Sequence, residues 1–267
     1  MKMHVYGLDG ASKGQIEIKL SLNEPIRQDL IQRAVESEDS RRRQPYGTDP
    51  MAGKRTSAHY HGERGVYMSM MNKEIARNPR IHGNAGHLSF VARFSPHATK
   101  GRRAHPPKAE KVFGKKINSK EYRKALIHAV FASFEREIVS SRGHIVSEVK
   151  NLPLIVSDEM ERIGKVKDMM NFLEKMGLEK EMERVSEKKR RAGRGKMRNR
   201  RWRQKKGPLI VASKTENVRR AAENIAGVEV CDVKGLTVSL LAPGTHAGRL
   251  VVWTESAVKG LEKRLAG

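Results

Sequence analysis

The chain has 267 residues, with 54 Lys and Arg against 30 Asp and Glu, a formal net charge of +24, and one cysteine. That length fits one or two domains, and a lone cysteine excludes an intrachain disulfide and suits a reducing, cytoplasmic compartment. No apolar run approaches the roughly 20 residues needed to cross a bilayer, residues 1–8 lack the apolar core of a signal peptide, and no membrane partner is expected.

In chain order, residues 3–6 and 15–20 read as short strands about a turn at Asp9-Gly10. A helix should follow, capped by Asn23, with Pro25 in its first turn and Ile26, Leu30 and Ala34 on one face. The next opens at Asn118, which has capping-box spacing to Glu121, and carries the stripe Tyr122, Leu126, Val130, Phe134 and Ile138. Residues 152–156 form a strand. Asp158 and Glu161 then open a helix bearing Ile163, Val166, Met170 and Leu173 that stops near Gly177, and a charged helix continues to Glu187. Residues 209–212 are a strand. Ser213 and Glu216 start a short helix with Val218, Ala221, Ala222 and Ile225 inward, Gly227 ends it, and residues 228–230 return as a strand. Such a unit usually pairs in parallel. Residues 249–253 and a last helix from Thr254, with Val258, Leu261 and Leu265 inward, complete the pattern. The fold class is α/β: a three-layer body with a mostly parallel central sheet, plus a long irregular basic internal loop.

The charge is unevenly placed. Residues 41–116 hold 17 Lys and Arg against 4 acids, residues 188–206 hold 12 and no acid, and the other 172 residues sum to −1. A near-neutral body with two cationic extensions suits a polyanion, and nucleic acid above all. Only nine of the 76 residues in the first segment are Ile, Leu, Val or Phe, too few to offset the entropy of ordering them. The expected organisation is one α/β body, residues 1–40 and 117–267, with a basic extension at 188–206. Residues 41–116 would form an extended nucleic-acid-binding loop inserted in it and ordered by a partner.

The loop interleaves cations with rings and glycines. Arg41, Arg42, Arg43, Lys54, Arg55, Arg64, Arg77, Arg80, Arg93, Lys100, Arg102, Arg103 and Lys108 are the expected phosphate contacts. Tyr46, His82 and His105 are placed to stack, and Gly62 and Gly65 to let backbone approach closely. A solvated linker would also be charged, but the density of charge and the accompanying rings favour binding. In the second segment the candidates are Lys188, Lys189, Arg190, Arg191, Arg194, Lys196, Arg198, Arg200, Arg201, Arg203, Lys205 and Lys206. Twelve cations without a counter-acid repel one another unless phosphates neutralise them. Trp202 among them either stacks on a base or anchors the run to the body.

The loop's six histidines, His59, His61, His82, His87, His97 and His105, lack metal-ligand spacing along the chain, so no metal is expected. Val66, Met68, Met70 and Met71 form a small apolar island. No phosphate-binding loop, nucleophile elbow, metalloprotease helix or dinucleotide fingerprint is present, so neither a cofactor nor a catalytic residue is expected. Two other classes remain open: an RNA-modifying α/β enzyme such as a methyltransferase, and a DNA-compacting protein.

Four segments, 46–53, 101–108, 199–211 and 241–254, resemble the archaeal and eukaryotic branch of the ribosomal protein L-four family. They include Tyr46-Gly47-Thr48-Asp49-Pro50, Gly101-Arg102-Arg103-Ala104-His105-Pro106-Pro107-Lys108, Asn199-Arg200-Arg201 with Lys206-Gly207-Pro208-Leu209, and Leu241-Ala242-Pro243-Gly244 with His246, Gly248 and Arg249. The resemblance runs in one order over nearly the whole chain. It implies a non-catalytic constituent of the large ribosomal subunit, bound to large-subunit ribosomal RNA beside neighbouring ribosomal proteins. Its loop would reach the nascent-peptide exit tunnel, with the tip near Gly62, Arg64, Gly65 and Arg77 facing the nascent peptide. The 241–248 region would be a turn serving folding or docking.

Overall fold

The structure is a computed structural model that describes residues 2–19, 21–22 and 24–266. The chain divides into two compact units, Met1–Arg42 with Gly114–Gly267, and Arg43–Phe113. The first holds a six-stranded sheet. Its strands in chain order are β1 (Lys2–Tyr6), β2 (Ser12–Glu17), β3 (Leu154–Val156), β6 (Leu209–Ala212), β7 (Glu229–Asp232) and β8 (Val251–Thr254), while β4 (Lys188–Arg190) and β5 (Trp202–Gln204) pair separately. The sheet runs β2-β1-β3-β8-β6-β7. Only β1 and β2 pair antiparallel; the other neighbours are parallel.

Alternation along the inner strands shows both faces covered. Ile155, Leu209, Val211, Val251 and Trp253 join one apolar cluster, and Leu154, Val156, Ile210 and Val252 join the other. Apolar residues at successive positions are what a parallel sheet buried on both faces requires. The first cluster is closed by α1 (Gln28–Arg41), α2 (Ser119–Ala132) and α8 (Glu255–Ala266). The second is closed by α4 (Val166–Lys175), α5 (Glu179–Ser186) and α6 (Glu216–Ala222). Short helices α3 (Arg136–Ser141) and α7 (Val238–Leu241) link these pieces. This is the expected three-layer α/β body.

Several expected boundaries move. The first helix begins at Gln28 after an extended Arg27; Asn23, its expected cap, lies outside the described residues, as does Leu20 at the end of the second expected strand. Asn118 does precede α2, but its side chain makes no capping bond. Glu121 pairs with Arg33 at 2.9 Å instead. That helix stops at Ala132, where the Ser133 hydroxyl donates to the Val130 carbonyl at 2.6 Å, so Phe134 and Ile138 fall beyond it. The expected helix from Asp158 is two pieces: a 3-10 turn at Asp158–Arg162 and then α4, separated by an extended Ile163. Four-residue α7 carried no sequence signal strong enough to mark it.

The basic segments have more local shape than their composition suggests. Residues 188–206 fold back as a hairpin in which Lys188, Lys189 and Arg190 oppose Gln204, Arg203 and Trp202. A left-handed Asn199 helps reverse the chain. Backbone hydrogen bonds supply that order, and they need no apolar core. In Arg43–Phe113 the regular structure is one 3-10 turn, Gly86–Leu88, and the bridges His59↔Arg80 and Arg80↔Ala92. Ser69 and Met70 are its buried residues among those described. Turn-by-turn bonding holds this irregular unit together without a core.

Candidate nucleic-acid interface

Each basic segment leaves the body from a polar anchor. At the first, the Ser37 hydroxyl donates to the Lys115 carbonyl at 2.7 Å, the Lys115 amide donates to Ser40 Oγ at 2.8 Å, and the Lys115 ammonium meets Glu36 at 2.8 Å. These bonds tie the end of α1 to the returning chain. Beside them Glu38 accepts the Tyr122 hydroxyl at 2.6 Å and the amides of Val238 and Ser239 at 3.1 and 3.0 Å. Burial and the Glu38 carboxylate push the Tyr122 phenol up to about 12, so it stays a neutral donor. Arg42 Nη2 donates to Ser239 Oγ at 3.0 Å.

The hairpin's anchor is a buried ion network. Glu181 accepts from Arg184 at 2.6 and 2.8 Å and from the Ile145 amide at 2.9 Å, and lies 2.6 Å from His144 Nδ1. Burial opposes its charge, but these partners hold its carboxyl below the usual range; burial likewise depresses His144. Arg184 also donates to the Lys206 carbonyl at 2.9 Å. Arg249, with no exposed surface, donates to the carbonyls of Gly207 and Leu240 at 2.9 and 3.0 Å and to Glu229 at 2.6 Å. Lys206 pairs with the same Glu229. Arg142 donates to the Pro243 carbonyl at 2.8 Å, and burial next to Arg249 and Arg184 lowers it to about 10.

The 241–248 turn seats this network. Gly248 has φ +89°, and a Cβ there would lie 2.7 Å from Ile138 Cγ2 and 2.8 Å from its carbonyl oxygen. Only glycine fits both constraints.

Within Arg43–Phe113 the expected contacts separate into two kinds. Some are engaged within the unit. Arg43 lies 4.3 Å over the Phe113 ring, which stacks on Tyr46 at 5.9 Å. Asp49 pairs with Arg55. Arg102 faces Phe94 at 5.7 Å, Arg80 donates to the Phe90 and Ala76 carbonyls at 3.1 and 3.0 Å, and Arg93 donates to the Thr99 carbonyl. Gly53, at φ +74°, packs where a Cβ would meet Arg102 backbone at 2.6 Å. Others are exposed and make no side-chain bond among the described residues: Lys54, Arg64, Arg77, Lys100, Arg103, His105 and Lys108. Gly62 and Gly65 bracket Arg64, Arg77 lies in a separate exposed stretch, and the apolar island is split, with Met70 buried and Val66 and Met71 exposed.

The hairpin is the more open cationic surface. Lys205 pairs with Glu187 at 2.8 Å, and Arg191 donates weakly to the Trp202 carbonyl at 3.5 Å. Lys188, Lys189, Arg190, Arg194, Lys196, Arg198, Arg200, Arg201 and Arg203 have no side-chain partner among the described residues. Trp202 is 58% exposed, which agrees with stacking and not with anchoring to the body. Arg41, at the end of α1, is exposed as well.

Sequence reasoning missed the anchors, because Arg142, Arg184 and Arg249 look like any other cations until their burial is known. It also missed that His59, His61 and His82 converge, with ring centroids 4.2–4.4 Å apart. The i, i+2 spacing of His59 and His61 was the one available signal.

The model for the ribosomal protein L4/L1 family matches residues 16–264. The chain belongs to that family. It is 42% identical over 267 residues to the large ribosomal subunit protein uL4 of Nanoarchaeum equitans, covering 99% of this chain and 98% of the relative. It is 41% identical over 265 residues to the large ribosomal subunit protein uL4 of Methanococcus aeolicus, covering 99% and 100%. A third relative of that name, from Methanosphaera stadtmanae, is 39% identical over 261 residues, covering 97% and 96%. The L4/L1 match begins in β2 and ends in α8, so it takes in the body, the hairpin and the whole of Arg43–Phe113.

Proposed function

We propose that this chain is a structural constituent of the large ribosomal subunit that binds large-subunit ribosomal RNA. The observation that carries this reading, beyond membership of the L4/L1 family, is the row of unpartnered cations on the 188–206 hairpin, held at its root by bonds from Arg184 and Arg249 to the Lys206 and Gly207 carbonyls. A hydrogen-bonded ribbon with bare guanidinium groups is suited to neutralise phosphates, and the exposed Trp202 offers a ring to an unpaired base. Arg43–Phe113 adds a second set of free cations, and we place it in the wall of the nascent-peptide exit tunnel with the Gly62–Gly65 and Arg77 regions toward the lumen. Its partners there are RNA, neighbouring ribosomal proteins and the nascent peptide, and its location is the cytoplasmic ribosome. Among the described residues no helix is long and apolar enough to cross a membrane.

The enzyme reading finds no support in the crevice at the carboxyl ends of the parallel strands, where an α/β body takes a cofactor. That crevice is open and lined by Asp158, Glu161, Glu216 and Asp232 beside Arg162 and Lys214, and Glu161 in it accepts from the Ser213 amide at 2.8 Å, Thr254 at 2.9 Å and Ser256 at 3.1 Å. Asp158 accepts the Ser256 amide at 2.9 Å. Four carboxylates against two cations in that lining disfavour an anionic cofactor. The test is retention of the full chain on large-subunit ribosomal RNA against excess duplex DNA. Selective retention is expected; equal loss to DNA would contradict the assignment.

A further inference from the structure

We propose that His59, His61 and His82 form a binding site for a divalent transition-metal ion of borderline softness, zinc in the first instance. One ring nitrogen from each histidine lies within 4.8 Å of one from each of the others. His61 Nε2 donates to the bare His59 Nε2 at 2.8 Å, and a metal would replace that bond once the His61 proton moves to Nδ1; two zinc-bound nitrogens in a tetrahedral shell sit roughly 3.3 Å apart, given bonds of about 2.0–2.1 Å. Small ring rotations therefore bring the set to coordinating distance.

The hydrogen bonds around the rings fix which nitrogens are bare. His59 Nδ1 faces the Ser57 carbonyl at 3.0 Å and donates to it, leaving Nε2 with its lone pair inward. His82 Nε2 faces the His59 carbonyl at 3.2 Å and donates to it, leaving Nδ1 bare. His82 Nδ1 and His61 Nδ1 are both buried without a hydrogen-bond partner. Ligating histidines characteristically donate their outer N–H to a carbonyl in this way, which sets the tautomer and the ring orientation.

The backbone provides the scaffold. His59 and Arg80 exchange amide–carbonyl bonds at 3.1 and 3.0 Å, and Ile81 is bonded to Val91 and Phe90 at 3.1 and 2.8 Å. Three segments distant in sequence are thereby held side by side under the three rings. Arg43–Phe113 lacks an apolar core, and a metal closing the chain between residues 59 and 82 supplies order that side-chain packing there does not. Three protein nitrogens leave a fourth position to water. Imidazole-only donors suit zinc, copper or nickel and disfavour magnesium and calcium.

The test uses the RNA-free full chain in non-chelating buffer, so its outcome is independent of the RNA-binding reading. Zinc is titrated against a chromophoric chelator. One ion per chain is expected, with binding lost in His59→Ala and His82→Ala and retained in His87→Ala. Cobalt substitution should give the intense visible bands of a four-coordinate site. Amide exchange at Arg80 and Ile81 should slow on adding zinc and recover with chelator, while the body amides stay unchanged. Absence of micromolar zinc binding, or binding that survives His59→Ala and His82→Ala together, would overturn the assignment.

Discussion

Arg249 and Arg198 belong to the same folded unit and carry the same guanidinium, yet their surroundings are opposite. Arg249 is fully buried, with two carbonyls and Glu229 around it. Arg198 is exposed on the hairpin with no side-chain acceptor among the described residues. Burying a charge costs several kcal/mol unless it is paired; Arg249 is tolerated through Glu229 and the two carbonyls, although its Nη2 is left without a partner. Arg198 keeps its water and loses little. Its charge contributes nothing to folding and becomes favourable only when a phosphate displaces counterions. One set of cations thus fixes where the hairpin leaves the body, and the other is left available to a partner.

The sharpest way to break this contrast is Arg249→Ala. Removing it orphans the Gly207 and Leu240 carbonyls, about 1–3 kcal/mol each in urea unfolding, with Glu229 still paired to Lys206, whereas Arg198→Ala should stay within about 0.5 kcal/mol. Next in size, replacing Arg198, Arg200 and Arg201 together by Ala should leave unfolding unchanged. The slope of log affinity against log salt for ribosomal RNA should then fall by roughly three. Gly248→Ala forces a Cβ onto Ile138 at positive φ and should cost about 1–3 kcal/mol of stability. Trp202→Ala should cost about 1–3 kcal/mol in affinity for single-stranded regions, with no change in unfolding.

The smallest expected effect is on pH. His144 is held below its ordinary value by burial, so the unfolded chain takes up its proton first. Stability should be full above about pH 6.5 and decline below it as the unfolded state protonates. Glu181, lowered by Arg184 and His144, adds a loss of the same sign at lower pH. His144→Gln should flatten the upper part of that decline in urea titrations; His128, also depressed by burial, keeps a residual slope.

The body was legible where physical chemistry is repetitive. Runs such as Leu209-Ile210-Val211-Ala212 can only be buried on both faces, and Ala125, Leu126, Ala129 and Val130 mark one side of α2 in any helix. Capping was misread at Asn118 because Glu121 had a competing partner, Arg33, that is distant in sequence. The helix expected from Asp158 splits because the apolar spacing of Ile163 and Val166 says nothing about the extended link between them. The exposed cations of 188–206 could be named from charge alone, but not the ladder beneath them, since every ladder side chain points to solvent. Arg249 and the three convergent histidines were invisible for the same reason: their roles depend on chain segments that meet only after folding.

The proposal that the hairpin's cations are reserved for phosphate has a readout in salt dependence. It is tested most directly by comparing RNA affinity, between 50 and 200 mM salt, for the full chain and for a chain whose 191–201 segment is replaced by a short uncharged turn. With 6 to 10 phosphate contacts the full chain should lose about 10³–10⁵ in affinity over that range. The shortened chain should show a markedly shallower loss and an unaltered urea midpoint. Identical salt slopes for the two chains would contradict the account.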